Sequence, residues 1–125
     1  MKLVIKNTDV PKCLTFIKDM DLSGVDSINR SKITRFLTEQ LQEIAENEKQ
    51  IVEDAKGNRE KMSEWLKEFF EQKITIEGAN FENGLAVIKQ TIKEYVAEGS
   101  KRKFSGDDAD ALLVLYEALN VEEEE

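Results

Sequence analysis

Residues 28–72, INRSKITRFLTEQLQEIAENEKQIVEDAKGNREKMSEWLKEFFEQ, decide the fold. In the first part Leu37, Leu41, Ile44, Ile51 and Ala55 recur in alternating steps of four and three, with Glu48 standing where one apolar residue is missing. Ile33, Phe36 and Val52 widen the stripe. This period predicts a long helix over about residues 28–56, with a seam suited to shallow-angle packing on another helix. Gly57 is a natural stop and Asn58 a natural start. Met62, Trp65, Leu66, Phe69 and Phe70 then follow at helical spacing. So short a connection predicts that the two helices fold back as an antiparallel hairpin.

On the C-terminal side, Ile74-Thr75-Ile76 alternates and ends at Gly78, the pattern of a short strand. On the N-terminal side, Lys2–Lys6 also alternates, with Leu3 and Ile5 on one face. A lone strand is not stable, so the two are expected to pair. Asn7-Thr8-Asp9 breaks the first strand. Thr8 or Asp9 is placed to cap a helix with Pro11 in its first turn and Val10, Leu14, Phe16, Ile17 and Met20 along it. A polar turn over Asp19–Ser27 leads into the long helix. Phe81, Leu85, Ile88, Ile92 and Tyr95 form another seam that Gly99 ends. Lys101–Phe104 reads as a basic loop or short edge strand. Ser105 is expected to cap a last helix, with Asp107 and Asp108 in its first turn and Leu112, Leu113, Tyr116 and Leu119 facing inward. The expected fold is mainly α (α+β): a long antiparallel helical hairpin, three shorter helices and a small two-stranded sheet. Residues 1–121 form a single helix-rich domain and 122–125 an acidic disordered tail.

A chain of 125 residues is long enough to bury one core of its own. Residues 1–36 hold seven Lys/Arg against four Asp, or +3, which leaves −11 for residues 37–125 in a net charge of −8. Such a field repels phosphate backbones and makes general nucleic-acid binding unfavourable. No apolar run approaches the roughly 20 residues that span a bilayer, and no export signal is visible, so the expected location is the cytoplasm. Cys13 is the only cysteine, which leaves no partner for an intrachain disulfide. There is no histidine, which removes histidine-based catalysis and the commonest zinc ligand.

Several constellations invite a chemical reading. Asp19-Met20-Asp21-Leu22-Ser23-Gly24 matches the first half of a calcium-binding EF-hand loop, but Asp26 and Arg30 stand where an apolar residue and the closing glutamate belong. Asp107, Asp108 and Asp110 resemble a magnesium cluster, yet they suit a helix N-terminus as well and lack partner carboxylates elsewhere. Lys101, Arg102 and Lys103 beside Phe104 could hold a phosphate backbone or form a solvated loop. Cys13 lies on an apolar face and lacks an activating base, which favours a core role. Trp65, Phe69 and Phe70 are either core or an association face, and residues 28–72 offer a seam through which the chain could form a homodimer. No catalytic, metal or cofactor-binding residue is assigned. The candidate interaction surface comprises Trp65, Phe69, Phe70, Lys101, Arg102 and Lys103.

The opening Met1-Lys2-Leu3-Val4-Ile5-Lys6-Asn7 resembles a known group of sequences. So do the long charged helical middle, the run Phe104-Ser105-Gly106-Asp107-Asp108-Ala109, and Leu115-Tyr116-Glu117-Ala118-Leu119. The group is a family of small uncharacterised proteins encoded by tailed phages and prophages of low-GC Gram-positive bacteria. The resemblance implies expression in a bacterial host's cytoplasm and an accessory or assembly role. It transfers no catalytic residue. The expected function is a non-enzymatic interaction module whose partner is a phage or host protein. The alternatives are an acidic inhibitor of a host nucleic-acid-binding protein and a metal-dependent enzyme built on the aspartates.

Overall fold

One helix dominates the molecule. In the computed structural model, which describes residues 1–123, Gly24–Asp54 is continuous helix (α2), about 46 Å long at 1.5 Å per residue. The other elements are β1 (Lys2–Lys6), α1 (Val10–Lys18), α3 (Arg59–Glu71), β2 (Lys73–Glu77), α4 (Ala79–Val96) and α5 (Gly106–Ala118). Single 3-10 turns occupy Asn7–Asp9 and Val121–Glu123. Of the expected tail, Glu122 and Glu123 lie in the second of these turns, and Glu124 and Glu125 lie outside the described residues.

α2 begins four residues before the expected start at residue 28. Gly24, at φ +61°, turns the chain out of the extended Ser23, and Val25 and Ile28 then run along solvent at 70% and 62% exposure. These first turns contribute nothing apolar to the core, so periodicity could not reveal them. At the far end α2 stops at Asp54, because Lys56 and Gly57 are both left-handed, at φ 49° and 81°. The Asn58 side chain accepts from the Lys61 N–H at 3.0 Å and caps α3 as expected.

β1 and β2 pair antiparallel, with Leu3 opposite Ile76 and Ile5 opposite Ile74. Leu3, Ile5 and Ile76 turn into the core, where they join Cys13 and Ile17 of α1, Ile33 and Leu37 of α2, Leu85, Ile88 and Ile92 of α4, and Leu115 of α5. The expected hairpin and sheet are both present. α2 and α4 meet at Gly84, where an added Cβ would fall 2.5 Å from the Asn29 carbonyl oxygen and 2.8 Å from Ile33 Cγ1. The absent side chain is therefore what lets the helices approach.

Three details differ from expectation. Asp9 holds the N-cap position of α1 without a side-chain cap, and its carboxylate pairs instead with Lys12 at 3.1 Å. Ser105 likewise stands at the N-cap of α5 with no side-chain cap bond. The inward face of α5 is Ala111, Leu115 and Leu119, whereas Leu113 is 57% exposed and Leu112 and Tyr116 are half-buried. Leu112 to Tyr116 are all apolar. An unbroken apolar run carries no phase, so it could not indicate which side faces in.

Candidate interaction surface

The two halves of α2 have different surroundings. From Ile33 to Ile44 its apolar residues join the core formed with α1 and α4, and Ile33, Leu37 and Ile44 are buried. From Ala45 to Asp54 no residue is buried, and Val52 is 44% exposed. α3 folds back against α2, yet none of its residues is buried either. Met62, Leu66, Phe69 and Phe70 are half-buried, and Trp65 is 37% exposed. The far end of the hairpin is therefore a two-helix arm whose apolar stripe is only partly covered. Residues of this size ordinarily dominate a core or an interface.

Phe69 and Phe70 stack edge to face, with ring centroids 5.2 Å apart. The base of α3 is fastened to the sheet at three points. The Asn7 side chain donates to the Phe69 carbonyl at 3.0 Å, the Asn7 N–H donates to the Gln72 carbonyl at 2.8 Å, and Lys6 pairs with Glu71 at 2.9 Å. That pair holds the Glu71 carboxyl below its usual range and raises Lys6 above its own. Asn7 reads in the sequence as a strand breaker, but it is a buried link between β1 and α3, tied through both its side-chain amide and its main-chain N–H. On its solvent side α3 exposes Glu60, Glu64 and Glu68 at four-residue spacing, a row of carboxylates along one helix face.

Lys101, Arg102 and Lys103 lie in an irregular loop between α4 and α5, not in an edge strand, and all three are exposed. The Arg102 guanidinium lies 4.2 Å from the centre of the Tyr95 ring, a cation–π contact. Phe104 packs on Phe16 and Tyr95 at 5.5 and 5.3 Å, which pins the loop to α1 and α4. The structure does not join this loop to the Trp65 group. One rests on the Phe16–Tyr95 cluster, and the other on α2 and the turn after β1. The six candidate residues form two separate surfaces.

Sequence reasoning missed a third. Val96, Ala109, Leu112, Leu113 and Tyr116 line a shallow apolar cleft of about 290 Å³ between the ends of α4 and α5. The available signal was α5 itself, since a helix apolar on nearly every side is seldom left half-covered.

The remaining constellations resolve into structural contacts. The EF-hand-like segment ends α1 and opens α2. Its Arg30 donates to the carbonyls of Ile17, Lys18 and Met20 at 3.0, 3.2 and 2.8 Å. Asp107 and Asp108 border a cleft with Thr8, Pro11, Lys12 and Thr15. Among the described residues no group of three or more Cys, Asp or Glu is placed to hold a metal ion. Cys13 is fully buried, and burial pushes its thiol up to about 12, with Asp9 adding to the shift and Lys12 opposing it. No helix among the described residues is long and apolar enough to cross a membrane. Comparison with known proteins finds no family model, curated protein or solved structure that matches this chain.

Proposed function

We propose that this chain is a non-enzymatic interaction module that docks a partner protein on the arm formed by α3 and the far end of α2. One observation carries the reading: Met62, Trp65, Leu66, Phe69 and Phe70 are gathered on one helix, and none of them is buried. An apolar stripe on a projecting arm is the form in which an amphipathic helix or a groove is recognised. The resemblance to phage and prophage proteins supplies the setting, an accessory or assembly role in the bacterial cytoplasm with a phage or host protein as partner. Seated by a second copy, residues 28–72 would instead form a four-helix bundle, and the mass of the purified chain distinguishes the two occupants. Affinity capture from phage-infected cells tests the proposal. A protein retained by the wild-type chain and lost with a folded Trp65→Asp variant supports it. Recovery of nothing above background, or of the same proteins with both chains, counts against it.

A second reading rests on Glu60, Glu64 and Glu68. A row of carboxylates on an exposed helix can imitate a nucleic-acid backbone and occupy a basic groove of a host protein. In that case affinity for the target falls steeply with salt, and Glu64→Lys weakens binding while Trp65→Asp does not.

A further inference from the structure

The hydrogen-bonding phase of the small sheet is set by one contact. The Asn7 N–H donates to the Gln72 carbonyl at 2.8 Å, and these residues continue the register that pairs Lys6 with Lys73. Antiparallel ladders alternate between pairs that exchange hydrogen bonds and pairs that do not. Asn7–Gln72 stands at a position of the first kind with one of its two bonds made, the Gln72 N–H donating to the Phe69 carbonyl instead, so Ile5–Ile74 and Leu3–Ile76 are pairs of the first kind. The backbone N–H and C=O groups of Lys73, Thr75 and Glu77 therefore point away from β1, along the outer edge of β2. Among the described residues no other backbone or side-chain group bonds to them, and all three side chains are exposed. An open edge of this kind is a template for another strand.

We propose that β2 is a self-association edge that pairs antiparallel with β2 of a second copy about a two-fold axis at Thr75. The sequence of the strand, Lys73-Ile74-Thr75-Ile76-Glu77, is complementary to itself when reversed. Antiparallel pairing about Thr75 sets each Lys73 opposite the other copy's Glu77, each Ile74 opposite Ile76, and Thr75 opposite its counterpart. The same register brings together the outward-facing backbone groups, so each Lys73–Glu77 pair and the central Thr75 pair exchange two hydrogen bonds. A slip of one residue would oppose a group facing out with one facing in. On the core side, the half-buried Ile74 gains the other copy's Ile76 as a cross-strand neighbour.

The outer edge of β1 does not offer this. Lys2-Leu3-Val4-Ile5-Lys6 paired with itself about Val4 would set Lys2 against Lys6 twice, and like charges directly opposite repel. The charge pattern thus selects β2 and selects a second copy of this chain. The product is a four-stranded sheet in the order β1-β2-β2-β1, which escapes the marginal stability of a two-stranded one. Its strand pairing uses none of the residues of the α3 arm proposed above.

Sedimentation of the full chain up to about 1 mM tests this, the range in which weak interfaces are seen. The comparison includes Lys73→Glu, Glu77→Lys and the double exchange, with far-UV circular dichroism to establish that each is folded. The expected result is a concentration-dependent dimer. Each single reversal weakens it about tenfold, because two like-charged pairs replace two complementary ones, and the double exchange restores it. A chain that remains monomeric throughout overturns the proposal. So does a dimer indifferent to the reversals, or one that dissociates with Trp65→Asp instead, which would place the interface on the hairpin.

Discussion

Arg30 closes the end of α1 by donating from Nη1 to the main-chain carbonyl of Met20 at 2.8 Å. The same nitrogen reaches the carbonyls of Ile17 and Lys18. The last carbonyls of a helix have no partner within it, and a cation there also meets the negative end of the helix dipole. Arg30→Met keeps much of the stem but removes the donors. It is expected to cost about 1.5–3 kcal/mol, the range for hydrogen bonds to a charged group. Urea unfolding followed by circular dichroism checks this, and an unchanged midpoint would show that water replaces the guanidinium at no cost.

Gly84→Ala separates helix propensity from packing. On an exposed helical site the change favours stability by about 1 kcal/mol. Here the new methyl falls 2.5 Å from the Asn29 carbonyl oxygen, a backbone atom that moves only with α2 itself. Overpacking of this kind costs about 1–3 kcal/mol. The expected outcome is a net loss of stability, read as a lower urea midpoint, and a gain would mean that α2 and α4 can part without penalty.

The hairpin and the strands were legible because their periods are distinct, 3.6 for Leu37 to Ala55 and 2 for Leu3 to Ile5 and Ile74 to Ile76. The phase of α5 was not, since Leu112 to Tyr116 present an apolar residue in every direction. The roles of Arg30 and Asn7 were illegible for another reason. Each acts on carbonyls brought near by the fold, Ile17 to Met20 in one case and Phe69 in the other. Arg30 read as a residue spoiling a calcium loop, and Asn7 as a strand breaker. At the candidate surface, α3 was recognisably amphipathic, but no pattern told that its apolar stripe would stay half-covered. That depends on α2 outrunning α4. Arg102 stood out as a cation, while its stacking partner Tyr95 read only as a member of a seam.

The Lys6–Glu71 pair makes a directional prediction about pH. Lys6 donates a hydrogen bond to the Glu71 carboxylate and attracts it electrostatically, which lowers the Glu71 pKa below its ordinary 4.5. The stabilisation from a lowered carboxyl is present above the unfolded value and is lost as pH falls through the folded one. For Lys6, raised above 10.5, it is present below the unfolded value and lost as pH rises through the folded one. Both side chains are largely exposed, so the pair is a small contributor to stability. The sensitive measurement is the NMR titration of the Glu71 carboxyl, whose midpoint should rise in Lys6→Met. An identical midpoint would mean that the pair is not populated in solution.

Trp65 should matter little to folding if the arm exists to bind. A buried aromatic truncated to alanine costs about 3–5 kcal/mol. Trp65 keeps 37% of its surface exposed and belongs to a helix with no buried residue. Trp65→Ala is expected to cost less than about 2 kcal/mol, whereas Ile88→Ala, at a fully buried position of α4, should cost about 2–5 kcal/mol. Circular dichroism in urea compares them without relying on the tryptophan. Native-state hydrogen exchange should agree, with the amides of residues 45–66 opening at lower free energy than those of Leu85 to Ile92. Equal losses for the two variants would make the arm part of the core.

Cys13 yields the sharpest separation between folded and unfolded chains. Its thiol is fully buried on α1, and desolvation of the thiolate raises its pKa from 9.0 to about 12. At pH 8 the folded thiol is both protonated and inaccessible, so a thiol-reactive disulfide reagent should label it only through opening. Labelling should become rapid in denaturant. The raised pKa also has a thermodynamic consequence. Between the unfolded and folded values the unfolded chain holds fewer protons, so stability declines as pH rises through that window. Cys13→Ala removes the titrating group, so its stability curve should lose this alkaline slope, although the variant starts lower because of the cavity it leaves. If native Cys13 labels as fast as a free thiol at pH 8, α1 does not pack as described, and the alkaline slope should vanish with it.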